Sequence, residues 1–415
     1  MTPALTSISP ETTRSGARAA QPSRGARLAA LLTNERFILW LWVALATFAA
    51  VKKFVPGPSH HNNFLIYEGV FRHLMDGTSL YAEEPGRYFD RNHYGPVFGL
   101  LFAPFALLPR LAGMVAWVVA NALALFFAIR ALPLAQEKKV VVWYLVTNEL
   151  FTSMVHTQVN PAIAASLVLA WCLIRREREG WAAAVIMLGA FVKLYSVAGL
   201  AFVLFSRRPA RFLLACLGWG AVLVAAPMLV ASPDFVVRTY LEWAQTLVHK
   251  DALNASVGCF QDQSVMGLGR RLLGDMSLPS ALFLVPGLLA FALPCLRPAT
   301  FREPRFQLRF LAATLLFVVL FSSSAESPTY IIAFTGVALW FVARERPYPR
   351  TVLALLAFAM LLTSLSPLLL PAGIYGVVLR YSLKALPCLL VWLYVTYELV
   401  TGGPADAGGS AAPAA

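Results

Sequence analysis

The chain is a succession of long apolar runs separated by short polar stretches. The runs cover 37–55, 95–109, 111–133, 140–155, 160–174, 181–206, 212–231, 279–296, 310–323, 328–343, 351–370 and 377–400. Most approach the ~20 residues that cross a bilayer as a helix, and the shorter ones must be tilted, broken or partly inserted. A β-barrel would need short alternating segments instead. The pattern therefore predicts an all-α, polytopic transmembrane helix bundle of about 10–12 spans.

Composition agrees with a membrane protein. Hydrophobic residues make up 59% of the chain and charged residues 13%, whereas a soluble domain carries roughly 25% charged residues. The formal net charge of +13 comes largely from short arginine clusters between apolar runs, which are typical of cytoplasmic loops. The positive charge therefore indicates membrane topology and not nucleic-acid binding.

The two ends of the chain lack the apolar pattern. Segments 1–35 and 402–415 are rich in small residues and proline, so we expect disordered tails around a membrane domain at 36–401. Lys52 and Lys53 follow the first apolar run, where a signal peptide would have a cleavage site of small residues. We interpret that run as a retained helix.

The first loop after this helix carries unusual polar chemistry. With the N-terminus inside, residues 56–94 lie on the outer side, and alternation of the spans places all six histidines there: His60, His61, His73, His93, His156 and His249. Apolar residues at spacings of three and four predict an amphipathic helix over Asn63–Met75, lying along the membrane surface.

The alternation of spans has one inconsistency. Two apolar runs, 95–109 and 111–133, separate the first outer loop from Lys138 and Lys139. Either 95–109 is re-entrant, which is tolerated where protein covers the backbone, or both lysines lie outside and 140–155 does not cross. The sequence leaves both alternatives open.

Asp90 is the first candidate for a catalytic carboxylate. It stands just before the chain enters the membrane, where we expect desolvation to raise its pKa toward that of a general base. The alternative is that Asp90 pairs with Arg87, Arg91 or His93 to fix the loop. Glu68 is the second candidate.

Polar residues at the outer ends of later runs complete the inventory. Lys193 interrupts an apolar run, which indicates function at membrane depth unless the helix breaks there and the side chain reaches the interface. Gln158 and Asn160 are suited to hydrogen-bonding a sugar or capping the next helix. Glu326 suits a sugar hydroxyl, a cation or a helix cap.

Arg270 and Arg271 lie in a loop that we expect on the outer side, where the positive-inside rule predicts few basic residues. Arginine in such a place suits phosphate binding, and Gln263 lies nearby in the sequence. The sequence contains no P-loop, GxGxxG or HExxH motif, so we expect no bound nucleotide or cofactor, with a divalent metal left open. The five scattered cysteines suit packing.

Five segments resemble glycosyltransferase family 87, also called DUF2029, which includes polyprenol-phosphate-mannose-dependent α-mannosyltransferases. They are "NNFLIYEGVFRHLMDGTSLY", "YFDRNHYGPVFGLLFAPFALLP", "TQVNP", "VKLYS" and "QDQSVMGLGRRLL", in this order. The resemblance implies a GT-C helix bundle in a bacterial inner membrane with an extracytoplasmic active face. It also implies a polyprenyl-phosphate-sugar donor, inversion at the anomeric carbon, a carboxylate base in the first outer loop and cations for the lipid phosphate.

Two positions depart from the family pattern. Asn63 stands where the family has its acid, and an amide cannot accept a proton. A histidine of the mannosyltransferases is absent from the last outer loop, where Glu326 and Tyr330 stand instead. Asp90 is the best-placed replacement base, or the protein has altered or lost activity.

The sequence therefore predicts a hexosyltransferase-like membrane enzyme that transfers a mannose-like hexose or a pentose to an extracytoplasmic lipid, glycan or protein acceptor. In this hypothesis Asp90 is the base, Lys193 with Arg270 or Arg271 neutralises the leaving phosphate, and sugar or cleft contacts come from Asn63, Tyr67, His93, Tyr94, Gln158 and Asn160. The rivals are a transporter or flippase for a polyprenyl-linked sugar and a structural membrane subunit.

Overall fold

A computed structural model describes residues 23–254 and 261–402, and all regular structure within these ranges is helical. The α-helices are α1 (Arg24–Leu32), α2 (Glu35–Phe54), α3 (Asn62–Asp76), α4 (Val97–Ala106), α5 (Arg110–Arg130), α6 (Gln136–Val155), α7 (Asn160–Arg175), α8 (Glu179–Val192), α9 (Pro209–Ala225), α10 (Pro233–Asn254), α11 (Val265–Leu273), α12 (Ala281–Ala292), α13 (Pro304–Leu320), α14 (Tyr330–Val342), α15 (Arg350–Phe358), α16 (Ser366–Leu369), α17 (Ala372–Arg380) and α18 (Ala385–Thr401). A long 3-10 segment (Leu194–Phe205) and a π-helical segment (Ala359–Ser364) interrupt them. The all-α prediction is confirmed for this part of the chain.

The predicted tails are covered only in part. Residues 1–22 and 403–415 lie outside the described residues. Within the predicted N-terminal tail, however, α1 is a capped helix, because the Ser23 hydroxyl accepts a hydrogen bond from the Ala26 amide at 3.2 Å. Leu28 and Leu31 of α1 are exposed.

Several helices are apolar enough for a membrane. Within the described ranges, three are long enough to cross by length and composition: α2, α5 and the continuous Pro209–Leu229; the pair α17 and α18, bent by 53°, would add a fourth. Seven further apolar helices have only 10–17 residues. The predicted run at 181–206 is one that breaks, because α8 ends at Val192 and a 3-10 segment follows Lys193. The number of spans remains a prediction.

The long helices run between two ends of the bundle. One end, here called the basic end, is defined by the ion pairs Arg130–Glu35, Lys138–Glu345 and Arg207–Glu177, each 2.8–2.9 Å. Helices α2 and α6 begin at the basic end, and α5 and α14 finish there. The opposite ends of α2 and α6 meet near Lys53 and His156, which line one cavity.

The short helix α4 explains the inconsistent alternation. It follows Gly95, whose amide donates to the Val192 carbonyl at the far end of α8, and it packs against α3. Arg110, at the start of α5, makes a two-pronged ion pair with Glu68 of α3, at 3.0 and 3.1 Å. Both ends of α4 therefore lie near α3, away from the basic end.

This arrangement supports the re-entrant alternative for 95–109. Lys138, at the start of α6, donates to the Arg344 carbonyl at the basic end at 3.3 Å, and α6 then runs the full distance to the cavity. The alternative in which Lys138 and Lys139 share the side of the first outer loop is wrong, because α5 carries the chain between those two sides.

The helix predicted at Asn63–Met75 is observed as α3, one residue longer at each end. Gly77 closes it with φ of +67°, a left-handed conformation that glycine adopts without strain. Tyr67 is buried among aromatic rings at centroid distances of 5.0–5.9 Å from Phe98, Phe102 and Trp117. Such edge-to-face contacts stabilise by about 0.5–1.5 kcal/mol each beyond burial, so α3 is anchored to α4 and α5.

Candidate active site

A cavity of about 590 Å³ lies at the end of the bundle opposite the basic end. Its walls come from the start of α3, the ends of α6 and α10, the break after α8, and the loops 89–94 and 322–326. Eight of the predicted site residues line it: Asn63, Tyr67, Asp90, His93, Tyr94, Gln158, Lys193 and Glu326. The acid and the cation that the sequence singles out, Asp90 and Lys193, thus share one cavity.

The charges on the cavity wall are mainly positive. Lys53, Arg91, Lys193 and Lys250 line it together with four histidines. Two carboxylates, on Asp90 and Glu326, are the acidic groups among the described lining residues. A concave site with this balance of charge favours an anion, since the walls of a cleft concentrate the field of like charges.

Lys193 is positioned by a break in the backbone. It ends α8 in an extended conformation, with φ of −149° and ψ of 123°. Its ammonium group donates to the Asn160 side-chain oxygen at 2.9 Å and lies 4.8 Å from the centre of the Tyr195 ring. The buried Asn160 does not line the cavity; its amide donates to the Pro328 carbonyl at 3.1 Å. Asn160 therefore links Lys193 to the loop that carries Glu326.

The loop that carries Asp90 is fixed by a side chain of α3. The Asn62 amide donates to the Phe89 carbonyl at 2.6 Å and its oxygen accepts from the Phe89 backbone amide at 2.9 Å. Asp90 itself has φ of +76°, a conformation that costs energy for a residue with a side chain. A rigid anchor next to a strained residue indicates that the position of Asp90 is imposed by the fold.

The Asp90 carboxylate is held in an ionised state. It lies 3.4 Å from His93 Nε2 and 3.7 Å from Lys250 Nζ, and it accepts from the Arg91 amide at 2.8 Å. Burial acts to raise the pKa of Asp90, but the nearby His93 side chain and the Lys250 charge outweigh it and lower the pKa to about 2. The expectation of a raised pKa is therefore wrong, because these partners compensate the desolvation.

Neutral groups form a hydrogen-bonded row beside these charges. The hydroxyls of Tyr67 and Tyr94 are 2.9 Å apart, and Tyr94 donates to the Gln158 side-chain oxygen at 2.9 Å. The Asn63 amide donates to the His156 carbonyl at 2.8 Å. These groups present hydroxyls and amides to the cavity, which is the chemistry that binds sugar hydroxyls.

Glu68, the second candidate base, lies outside the cavity lining. Its carboxylate is paired with Arg110, so its place in the fold is to join α3 to α5.

Three other predicted residues also lie outside the cavity lining. Arg270 donates to the Leu278 carbonyl and the Ser280 hydroxyl at 2.8 and 3.0 Å. Arg271 donates to the Asp262 carbonyl at 2.8 Å, and the Gln263 amide donates to the Leu379 carbonyl at 2.9 Å. These contacts tie α11 to the bundle, and they direct the two arginines to protein oxygens.

Lys53 and Lys250 line the cavity and were not among the predicted site residues. Lys53 ends the first apolar run, where the sequence offers it only as evidence against a signal-peptide cleavage site. Lys250 lies in the long polar segment after residue 231, which we expect on the outer side. The positive-inside rule, which singles out Arg270 and Arg271 there, could have singled out Lys250 as well. Among the described histidine, cysteine, aspartate and glutamate side chains, no group of three or more could hold a metal ion.

The described residues form an all-helical protein with many apolar helices and a charged cavity at one end of the bundle, a layout that suits a membrane enzyme. The model of glycosyltransferase family 87 matches residues 92–323, more than half of the chain. The protein belongs to glycosyltransferase family 87. No curated protein matches the chain. The matched region contains Lys193, the 322–323 wall of the cavity and most of the loop after Asp90.

Proposed function

We propose that the protein transfers a sugar, a mannose-like hexose or a pentose, from a polyprenyl-phosphate donor to an acceptor hydroxyl on the extracytoplasmic side of the bacterial inner membrane. The acceptor is a lipid, a glycan or a protein. The observation that carries the proposal is the convergence of Lys193 and three further cations with two carboxylates in one cavity.

The cations suit the phosphate of the donor. When the bond between the anomeric carbon and the phosphate oxygen breaks, the departing lipid phosphate gains one negative charge. Lys193, already oriented by Asn160, is placed to stabilise that charge, and a fixed cation in a cavity needs little reorganisation to do so. Lys53 and Lys250 add to the positive potential from two other walls.

A groove beside the cavity suits the lipid part of the donor. Its volume is about 360 Å³, and its wall includes Ala198, Leu284, Phe317 and Phe321. The groove and the cavity share Leu194, Tyr195, Ser322 and Ser323. An isoprenoid chain in the groove would therefore place its phosphate next to Lys193.

The experiment is transfer of labelled sugar from polyprenyl-phosphate mannose, glucose or a pentose in membranes that contain the protein. Lys193→Ala should lower the transfer rate by about 100-fold or more, the usual effect of removing one preorganised electrostatic contact. Lys52→Ala is the matched control, because Lys52 is exposed and does not line the cavity. Equal rates in the wild type and Lys193→Ala would refute the proposed role.

A second candidate function is translocation of an intact polyprenyl-linked sugar. The observation that favours it is Asn63, an amide that donates to the His156 carbonyl and that stands where the resemblance of the first loop to the family would place an acid. Reconstituted vesicles distinguish the two functions, because translocation moves the labelled lipid across the bilayer without releasing its sugar.

A further inference from the structure

The two carboxylates that line the cavity differ in what surrounds them. Asp90 contacts Lys250 and His93 and is engaged in holding the cavity mouth. Glu326 is half-buried, and it caps the short 3-10 helix Ser327–Thr329 in a capping box with Thr329, the helix-cap role that the sequence left open. It forms no ion pair with a described basic residue, and its charge acts electrostatically on Lys193. Of the two lining carboxylates, Glu326 is therefore the one that no described cation neutralises by direct contact.

The loop that carries Glu326 is clamped at successive backbone carbonyls. The Tyr195 hydroxyl donates to the Ser324 carbonyl at 3.0 Å, and the backbone N–H of Gln263 donates to the Ala325 carbonyl at 2.7 Å. On the other side of Glu326, Asn160 donates to the Pro328 carbonyl. A carboxylate on a loop fixed on both sides is preorganised, which is the requirement for a group that must meet a reacting atom.

A buried ion pair lies beneath the same loop. The Lys384 ammonium donates to the Ser327 hydroxyl at 2.7 Å and lies 3.5 Å from the Glu149 carboxylate. Both charged side chains have no exposed surface. Burying two charges carries a large desolvation cost, and an ionisable pair inside a membrane protein is a mark of function. Here the pair fixes the residue next to Glu326.

From these contacts we propose that Glu326 is the general base of the transfer reaction, with Lys384 and Glu149 as its positioning residues. The inference rests on the proposed function. One carboxylate oxygen of Glu326 accepts the proton of the acceptor hydroxyl while the acceptor oxygen bonds to the anomeric carbon. The bond from that carbon to the donor phosphate breaks, and the polyprenyl phosphate leaves with the bonding electron pair beside Lys193.

This assignment accounts for two features of the sequence together. Asn63, at the start of α3, is an amide and cannot accept a proton, and the carboxylate of Asp90 is stabilised as an anion by Lys250 and His93, which weakens it as a proton acceptor. Glu326 supplies the base from the loop between α13 and α14.

The test compares wild type, Glu326→Gln, Glu326→Asp and the exposed control Glu137→Gln in the labelled-transfer assay, with binding of polyprenyl phosphate measured separately in nanodiscs. Removal of a general base lowers rates by about 10²–10⁴-fold. We expect a loss of this size in Glu326→Gln with unchanged lipid-phosphate binding, partial recovery in Glu326→Asp, and a control within twofold of wild type.

Lys384→Met tests the positioning role. It should lower kcat while leaving KM for the donor unchanged, because the pair positions Glu326 and does not contact the donor. Full transfer by Glu326→Gln, or loss of lipid-phosphate binding together with the rate, would overturn the assignment of Glu326 as base. Absence of transfer by the wild type with every donor would instead overturn the proposed function.

Discussion

Asp90 shows how partners decide the chemistry of a carboxylate. From the sequence it is the obvious base, since it stands next to the membrane among aromatic residues. In the fold its carboxylate contacts His93, one of the partners that the sequence offers, and Lys250. The Lys250 contact cannot be read from the sequence because the two residues are 160 positions apart. The side chain is therefore suited to holding loop 89–94 against α10.

The lowered pKa of Asp90 predicts a pH dependence of stability. Because the pKa is about 2 in the folded protein and 3.8 ordinarily, ionised Asp90 stabilises the fold above pH 3.8, and this contribution is lost as the pH falls through about 2. The melting temperature of the wild type in detergent should fall over this window by more than that of Asp90→Asn. An equal fall of melting temperature in the wild type and Asp90→Asn would show that Asp90 does not form its ion pairs with His93 and Lys250.

At the scale of elements, the break between α8 and the 3-10 segment is the feature that builds the site. Gly95 packs directly against this break, where an added Cβ would overlap the Phe191 carbonyl oxygen. Only glycine allows the backbone of the first loop to approach the end of α8 so closely. That approach brings the segment after Asp90 next to Lys193.

Gly95→Ala should therefore destabilise the protein by about 1–3 kcal/mol, the usual cost of overpacking, and lower the transfer activity. Gly86→Ala is the matched control, because nothing lies within 4 Å of a Cβ at Gly86. Thermal unfolding followed by tryptophan fluorescence measures both variants. A Gly95→Ala protein as stable as the control would contradict the close packing.

The sequence predicts elements better than it predicts contacts between them. The helix α3 was predicted to within one residue at each end, because its apolar spacing is local. The helix break at Lys193 is one of the two interpretations that the sequence offers for a charged residue within an apolar run. The sequence assigns Arg270 and Arg271 to phosphate binding only from their positive charge and from the side of the membrane on which their loop is expected. Their hydrogen bonds to carbonyl oxygens depend on the tertiary packing of α11, which no local pattern encodes.

At the scale of the whole molecule, the helices separate the arginine-rich loops from the candidate active site. Helices α2 and α6 both run from the basic end to the cavity, and the short α4, whose two ends both lie near α3, leaves α5 to run back to the basic end. Since arginine-rich loops face the cytoplasm, the cavity should open on the extracytoplasmic side.

Cysteine labelling in intact cells tests this orientation. In a background without the native cysteines, Ser59→Cys at the cavity should react with a membrane-impermeant maleimide. Glu137→Cys at the basic end should react only after the cells are permeabilised. Reaction of Glu137→Cys in intact cells would reverse the orientation and place the cavity in the cytoplasm.

Asn160 connects the two reacting sides of the cavity through one primary amide. Its oxygen holds the Lys193 ammonium and its nitrogen holds the Pro328 carbonyl beyond Glu326. The spacing between the ammonium and the loop that carries the acid is therefore set by the length of one side chain. A carboxylate of the same shape at position 160 would keep the ammonium and release the carbonyl, because it has no hydrogen to give.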